Sequence, residues 1–401
     1  IIRPLIISIK DMDGLCECVR IIESEILEGS IIPMGQAVVP FKKVVEKILH
    51  DVQERLIYCT SKYIEESIGA YTPSADDIDY PGKLTINDAD SPVDAHGPEQ
   101  KQNDLYTGWY PTLENTLMCL SKVFRCVETT TFDELTQEAI VACTNSLLEA
   151  SKRIEEKSKG SLDSELFLVK HLLILREQIT PFNSELRVKS KHLDYTTTMK
   201  AFSEFISESR AHTRTLFRVN SSNPLVGLVS HGVPTIEEDE VDCKRDLESQ
   251  LRQTCDSFIL RSYEQCLIAV IPFLQRCDTF TKSALSNKNQ QNGSASDSPP
   301  QSQSLPETDF GSPERVLKLL DTQVQEIPGL LENIYNKMKV YLTNEQTHSI
   351  LFQPIKRNTF AGLTKLQSTI SLHYDSREEV TQMYEILGNV RSKVSEIGTK
   401  K

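Results

Sequence analysis

His171 is the residue in this sequence that first suggests catalysis, because a histidine beside a carboxylate can act as a general base and Glu177 follows it closely. One histidine without an identifiable nucleophile does not make a catalytic site. Most polar groups inside proteins are simply hydrogen-bonded, so we predict an interior histidine with its partners satisfied. The alternative, a scattered active site, predicts a concave pocket around His171 that contains several groups with shifted pKa values.

Two sets of cysteines have spacings that could bind a metal. Cys16 and Cys18 are two residues apart, but a structural zinc site needs four such ligands and no second pair stands at a suitable spacing. Cys255, Cys266 and Cys277 recur every eleven residues, which returns to nearly the same helix face after three turns. We therefore predict that these cysteines pack on helices, with no metal and no cofactor.

Consecutive acidic residues between positions 237 and 242 could bind a divalent cation. The run comprises Glu237, Glu238, Asp239, Glu240 and Asp242. In the first turn of a helix the same residues would complement the positive end of the helix dipole, which is the favoured interpretation. The sequence contains no phosphate-binding glycine loop, no zinc-protease helix and no nucleophile elbow. We therefore predict that the chain is not an enzyme.

One basic concentration stands out in a chain that is acidic overall. It consists of Arg187, Lys189, Lys191, Arg210, Arg214 and Arg218. The last three are spaced four apart and would line one face of a helix. Such a face could contact anionic lipid headgroups or an acidic partner, and a peripheral membrane module is the alternative function. Pairing with the chain's many acids, or a solvated face, is favoured.

Length and charge restrict the classes of protein that remain. The 401 residues carry 44 Lys and Arg against 57 Asp and Glu, and the net charge of -13 disfavours nucleic acid as a partner. Ten cysteines in a chain of this length do not form a dense disulfide framework, so a reducing compartment is predicted. The chain begins at Ile1 rather than at methionine, and we expect it to be part of a longer protein.

Apolar residues recur in steps of three and four along most of the chain, which predicts an all-α protein. One long amphipathic helix is predicted for 38–63. Its apolar stripe consists of Val38, Phe41, Val45, Ile48, Val52, Leu56, Cys59 and Tyr63. The stretch 166–182 is apolar on every face and must be surrounded by other helices until Pro181 ends it. A further long helix is predicted within 236–286, with a kink at Pro272.

Composition divides the chain into an elongated rod of consecutive helical bundles with two linkers. Proline, glycine and an excess of acids mark the first linker, and serine, proline and glutamine mark the second. The predicted segments are 1–71, a helical part of the rod; 72–108, a disordered acidic linker; 109–286, a central helical bundle; 287–311, a disordered linker; and 312–401, a C-terminal helical bundle.

Several segments together resemble the family of the third subunit of the conserved oligomeric Golgi complex, in its C-terminal half. The segments are IRPL at 2–5, DVQERLIYCTSKYI at 51–64, GWYPTLENTLMCLSKVFRCVE at 108–128, LFLVKHLLILREQITPF at 166–182, LFRVNSSNPL at 216–225 and ILFQPIKRN at 350–358. They follow one another in order along nearly the whole chain. The resemblance fades in the two linkers.

This resemblance implies a non-catalytic subunit of a vesicle-tethering complex, a helical scaffold for retrograde intra-Golgi vesicle capture and Golgi organisation. The implied partners are other subunits of that complex, SNARE proteins, Rab-type small GTPases and golgin coiled coils. The implied location is the cytoplasmic face of Golgi membranes and the cytosol, with peripheral membrane association through partners. The family supplies no catalytic or cofactor-binding residues to place on this sequence.

Overall fold

The computed structural model describes residues 2–85, 108–180, 243–290, 304–374 and 377–398. Within these ranges the chain forms helices and turns without any strand, so the all-α prediction is confirmed. By backbone contacts, Ile1–Ile179 and Cys243–Lys401 form one compact unit, and the helices below belong to it. The second unit, Thr180–Asp242, lies outside the described residues apart from Thr180.

The described α-helices are numbered in chain order. They are α1 (Ile2–Ser8), α2 (Met12–Arg20), α3 (Val39–Tyr63), α4 (Gly82–Thr85), α5 (Pro111–Val123), α6 (Thr129–Lys157), α7 (Asp163–Ile179), α8 (Cys243–Cys266), α9 (Val270–Gln290), α10 (Pro313–Leu319), α11 (Ile327–Tyr341), α12 (Glu345–His373) and α13 (Arg377–Glu396). π-helical turns follow α2, α3 and α10, and short 3₁₀ helices span Ile32–Val38 and Leu305–Glu307.

Helix α3 confirms the long amphipathic helix, but its first turn differs from the prediction. Val45, Val52 and Leu56 of the predicted stripe are buried against neighbouring helices. Phe41, predicted on the same stripe, is 58% exposed. The stripe fails there because the helices that cover the middle of α3 do not cover its N-terminal turn.

Helix α7 lies at the centre of the unit, as its apolar composition predicted. Leu166, Phe167, Val169, Leu172 and Leu175 have no exposed surface. The helix is contacted by α5, α6, α8 and α11, so most of its surface is covered, and Glu177 and Gln178 in its last turn are exposed. A helix that is apolar all round can be stable only in such a position.

The long helix predicted for 236–286 is two helices, α8 and α9, that meet at an angle of 81°. Pro272 is the third residue of α9, where no N–H is needed for an intrahelical hydrogen bond. The predicted kink is therefore a complete break just before the proline. No single described helix is long and apolar enough to cross a membrane, although this bent pair passes the test of length and composition.

The longest C-terminal helix contains a proline. Helix α12 runs without a break from Glu345 to His373 with Pro354 inside it. Burial of Phe352, Ile355 and other residues on the same face holds the helix together across the proline.

Parts of both predicted linkers are packed structure. Within 72–85, Tyr80 is buried and Asp77 accepts a hydrogen bond of 2.7 Å from the Tyr71 hydroxyl. Within 304–311, Leu305 is buried and the Gly311 carbonyl accepts a bond of 2.6 Å from the Tyr374 hydroxyl. Disorder is therefore wrong for these stretches, because single large side chains anchor them. Residues 86–107 and 291–303 lie outside the described residues.

Candidate functional site

The predicted basic surface cannot be located in this structure. Its six residues, Arg187, Lys189, Lys191, Arg210, Arg214 and Arg218, all lie outside the described residues. The acidic run 237–242 lies outside them as well. Lipid or acidic-partner binding by that basic surface therefore stays a prediction.

His171 is an interior histidine with both ring nitrogens paired, as the sequence predicted. Its Nε2 accepts a hydrogen bond of 3.1 Å from the Tyr110 backbone N–H, so its Nδ1 carries the proton and donates at 2.7 Å to the Phe167 carbonyl. The ring is fully buried, and burial lowers the pKa of His171 to about 3. The neutral ring therefore ties the start of α5 to α7.

Aromatic rings enclose His171 where an active site would need an open pocket. Tyr80 packs against Phe167 with 4.8 Å between ring centroids and against His171 with 5.7 Å. Tyr110 packs edge-on against Phe167 at 5.6 Å. The neighbouring Lys170 is largely desolvated, which lowers its pKa to about 8. The rings fill the space around the imidazole, so a substrate has no access to it.

The two cysteines considered as a metal-binding pair differ in burial. Cys16 is buried and faces Cys126, whereas Cys18 is only partly covered. The Cys16 thiol donates a hydrogen bond to Cys126, which lowers the pKa of Cys126 to about 7 and raises that of Cys16. Cys266 and Cys277 are buried, as the eleven-residue spacing predicted. In the described ranges, no His, Cys, Asp and Glu side chains form a group that could hold a metal ion.

A partly buried polar seam joins the helices before and after the second unit. The Asp163 carboxylate at the start of α7 is 3.0 Å from Lys337 Nζ and accepts a bond of 3.1 Å from the Tyr341 hydroxyl, both on α11. The Asp163 side chain is only 6% exposed. A buried carboxylate is tolerated when it is paired and hydrogen-bonded in this way. The contact fixes α11 against α7.

Arg261 makes the second half of this seam. From α8 it forms an ion pair with Glu165 of α7 and another, of 2.8 Å, with Glu155 of α6. Ser164 Oγ donates a further bond of 2.6 Å to Glu155. One guanidinium therefore neutralises two carboxylates on two helices, which suits its planar set of donors. Sequence patterning did not find these partners, because nearly a hundred residues or more separate them along the chain.

Exposed apolar side chains are concentrated at the start of the chain. Ten of the seventeen large apolar residues that are most exposed in the described parts lie between 2 and 58. Five of these form what we call the 32–44 surface: Ile32, Met34, Val39, Phe41 and Val44. Sequence reasoning missed this surface because it assigned Phe41 to the interior. The uncharged run from 31 to 41 is the signal that could have revealed it.

Comparison with known families gives two matches that follow one another along the chain. The model described as conserved oligomeric Golgi complex subunit 3, C-terminal, matches residues 1–198. The model of the C-terminal cap domain of that subunit matches residues 250–393. Together the two matches take in most of the chain. The chain belongs to the family of conserved oligomeric Golgi complex subunit 3.

Curated members of this subunit 3 family are similar over most of the chain. Proteins named conserved oligomeric Golgi complex subunit 3 are 33% identical in Homo sapiens, over 89% of this chain and 46% of the relative, and 31% identical in Mus musculus, over 94% and 49%. The relative in Aedes aegypti is 29% identical over 95% of this chain and 46% of its own length. The chain thus spans about half the length of the curated relatives it matches. No solved structure matches it.

The polar seam lies between the regions that match the two subunit 3 family models. Asp163 and Glu165 lie in the region that matches the first model, and Arg261, Lys337 and Tyr341 lie in the region that matches the cap domain. The seam therefore holds the cap domain of this family against the preceding helices. Its ion pairs and hydrogen bonds join two helical modules within one compact unit.

Proposed function

We propose that this chain is the C-terminal part of a non-catalytic subunit of the conserved oligomeric Golgi complex. In this role it serves as a helical scaffold for tethering vesicles during retrograde intra-Golgi transport and for Golgi organisation. The observation that carries the proposal is the match of both subunit 3 family models along one helical chain. Its interior supports a scaffold, since His171 and the seam use their polar groups to hold helices together.

Tethering requires several simultaneous weak contacts rather than one reactive pocket. When binding modules are linked, the second contact forms at a raised effective concentration, and avidity exceeds a single affinity by about 10² to 10⁴. A rigid scaffold keeps those contacts at a constant separation. The Asp163–Lys337 and Arg261–Glu165 pairs support this property, because they hold two modules as one body.

The proposed partners are, first, the other subunits of the conserved oligomeric Golgi complex, since the relatives are named as members of it. The other proposed partners are SNARE proteins, Rab-type small GTPases and golgin coiled coils. The protein would act at the cytoplasmic face of Golgi membranes as a peripheral component held through these partners. We propose no nucleic-acid partner, because the net charge of -13 opposes binding to polyphosphates.

Affinity capture of the full-length protein from cells, followed by mass spectrometry, tests the proposal. We expect the other complex subunits to co-purify at near-equal amounts, and SNAREs, Rab-type GTPases and golgins at lower amounts. The bait tag alone, expressed at the same level, is the control. Recovery of no Golgi tether component would overturn the proposal, and so would reproducible turnover of a small substrate by the purified protein.

A further inference from the structure

Cys16 and Cys126 are two free thiols that meet although they are far apart in the sequence. Cys16 lies on α2 and is 2% exposed, and Cys126 lies in the connection between α5 and α6 and is 1% exposed. The Cys16 thiol donates a hydrogen bond to Cys126 Sγ, which in turn donates to the Lys122 carbonyl at 3.5 Å. The two sulfur atoms are therefore neighbours, as formation of a disulfide bond requires.

Further contacts hold the same two parts of the chain together. The Asp13 carboxylate on α2 lies 2.8 Å from Lys122 Nζ near the end of α5. Cys16 follows Asp13 by three positions and Cys126 follows Lys122 by four, so the ion pair and the thiol pair are about one helical turn apart. From α3, the Gln53 side-chain amide donates a bond of 3.2 Å to the Cys126 carbonyl. These contacts position Cys126 beside α2 without any help from the thiols.

A tight turn directly before Cys126 fixes it further. Phe124 has φ −52° and ψ 128°, Arg125 has a φ of 65°, and the Cys126 N–H donates a bond of 2.9 Å to the Val123 carbonyl. This is the pattern of a type II β-turn, in which glycine usually occupies the position of Arg125. A non-glycine residue is strained there and keeps this conformation only when its surroundings enforce it. Such strain is concentrated at functional sites.

The surroundings of Cys126 favour its thiolate. Hydrogen bonds from the Cys16 thiol and the Arg20 guanidinium outweigh the effects of burial and of the Glu23 charge, so the pKa of Cys126 falls to about 7. For comparison, burial alone raises the pKa of Cys266 to about 12. The thiolate is the form of cysteine that reacts with oxidants. Cys126 is therefore the thiol of the pair that is prepared to react first.

Solvent can reach the pair only past small moving parts. The Arg20 side chain is 60% exposed, and its guanidinium contacts Cys126 Sγ. Arg125 and Glu128, on either side of Cys126, are also exposed. Exposed side chains move on a picosecond to nanosecond timescale, which admits a molecule little larger than water. Hydrogen peroxide fits this description, whereas a bulky disulfide such as oxidised glutathione does not.

We propose that Cys16 and Cys126 are a redox modification site, at which a small hydroperoxide oxidises the two thiols to a disulfide. The Cys126 thiolate attacks one peroxide oxygen, the O–O bond breaks, and the leaving hydroxide takes a proton from solvent, so Cys126 becomes a sulfenic acid. The Cys16 sulfur then attacks the Cys126 sulfur. The S–S bond forms, and the sulfenic hydroxyl leaves with the Cys16 proton as water. Two thiols thus lose two electrons and two protons, and one hydrogen peroxide becomes two waters.

The disulfide joins α2 covalently to the connection between α5 and α6. Because it closes a loop of about a hundred residues, it restricts the unfolded chain and holds the N-terminal helices in place. A thiol reductant reverses the change. This covalent control goes beyond the proposed function, which concerns binding alone.

Hydrogen peroxide treatment of the purified, reduced 401-residue chain tests the proposal. After free thiols are blocked, mass spectrometry of tryptic peptides should show Cys16 linked to Cys126, and dithiothreitol should restore both thiols. Fragment spectra must assign the bond, because the two peptides also contain Cys18 and Cys143. In a urea-unfolded control, shorter loops such as Cys119 to Cys126 should close instead. Absence of the Cys16–Cys126 bond in the folded chain, or a bond through Cys18 or Cys143, would overturn the proposal.

Serine variants separate the roles of the two thiols, and circular dichroism checks that each variant is folded. In Cys16→Ser, the sulfenic acid should remain on Cys126, where dimedone traps it. In Cys126→Ser, Cys16 should carry at least about ten-fold less dimedone, because a buried thiol without a stabilised thiolate reacts slowly. Cys18→Ser is the matched control, since it removes a less buried thiol from the same helix and should form the disulfide as the parent does. Equal labelling in the first two variants would overturn the proposed order of reaction.

Discussion

Replacing Gly362 by alanine should destabilise this protein, although the same change in a helix usually stabilises. Gly362 lies inside α12, where alanine would gain about 0.5–1 kcal/mol from helix propensity. Its Cβ, however, would lie well inside van der Waals contact of the Leu267 Cδ1 atom and 3.5 Å from Cδ2 and Cγ. Leu267 follows the last residue of α8, at the bend before α9, and is 2% exposed.

The magnitude follows from this packing. Leu267 would have to retreat by about 1 Å to restore a carbon–carbon separation near 3.5 Å. Overpacking of a filled core typically costs about 1–3 kcal/mol, and here it exceeds the gain in helix propensity. We therefore expect Gly362→Ala to lower the free energy of unfolding by about 1–2 kcal/mol.

Urea unfolding followed by circular dichroism measures this effect against two further variants. Gly388→Ala in α13 is the matched control, because its Cβ would meet nothing within 4 Å and should stabilise by about 0.4–1 kcal/mol. Combining Gly362→Ala with Leu267→Ala should cost less than the sum of the two single changes, since the smaller side chain removes the overlap. If Gly362→Ala stabilises as much as Gly388→Ala, the packing argument at the bend is refuted.

Three other predictions test the interior. Burial lowers the pKa of His171 to about 3 from 6.5, so the unfolded chain binds more protons between these values and stability falls with acidification. For this reason the free energy of unfolding should be about 2 kcal/mol lower at pH 5 than at pH 7.5. Urea titrations at the two pH values measure this difference, and the His171→Gln variant should not show it. Arg261→Met leaves Glu165 with the Ser164 hydroxyl but without a cationic partner, and should lower the free energy of unfolding by about 2–4 kcal/mol in the same assay. The exposed Arg153→Met should cost under about 1 kcal/mol. Burial opposes ionisation of Asp77, but its hydrogen bonds outweigh burial and lower its pKa to about 2, so the stability it contributes is lost as pH falls from about 5 towards 2. Asp77→Asn should show a shallower loss of stability in that range; an unchanged slope would contradict the assignment.

The helices were the most predictable part of the molecule. The amphipathic stretch that became α3 and the apolar stretch that became α7 were visible as local periodicity, because burial of a helix face requires apolar residues every three or four positions. The ends of the helices were less predictable. The single helix predicted within 236–286 is two helices, α8 and α9, because the chain bends by 81° just before Pro272.

The candidate site was only partly predictable. His171 was correctly interpreted as an interior histidine, since an apolar helix with one histidine and no nucleophile indicates a hydrogen-bonded group. The 32–44 surface was missed, because periodicity records which residues share a helix face and not whether another helix covers that face.

By itself, the sequence determined the helical class, the family and the hydrogen-bonded interior histidine, because these depend on local composition and on segments that can be compared directly. Tertiary structure alone decided which distant side chains meet. Asp163 and Lys337 are 174 residues apart in the chain and 3.0 Å apart in space, and Tyr80 is buried by rings from other helices. Local periodicity does not predict such pairs. The residues on either side of each partner in the sequence are compatible with many arrangements of the same helices.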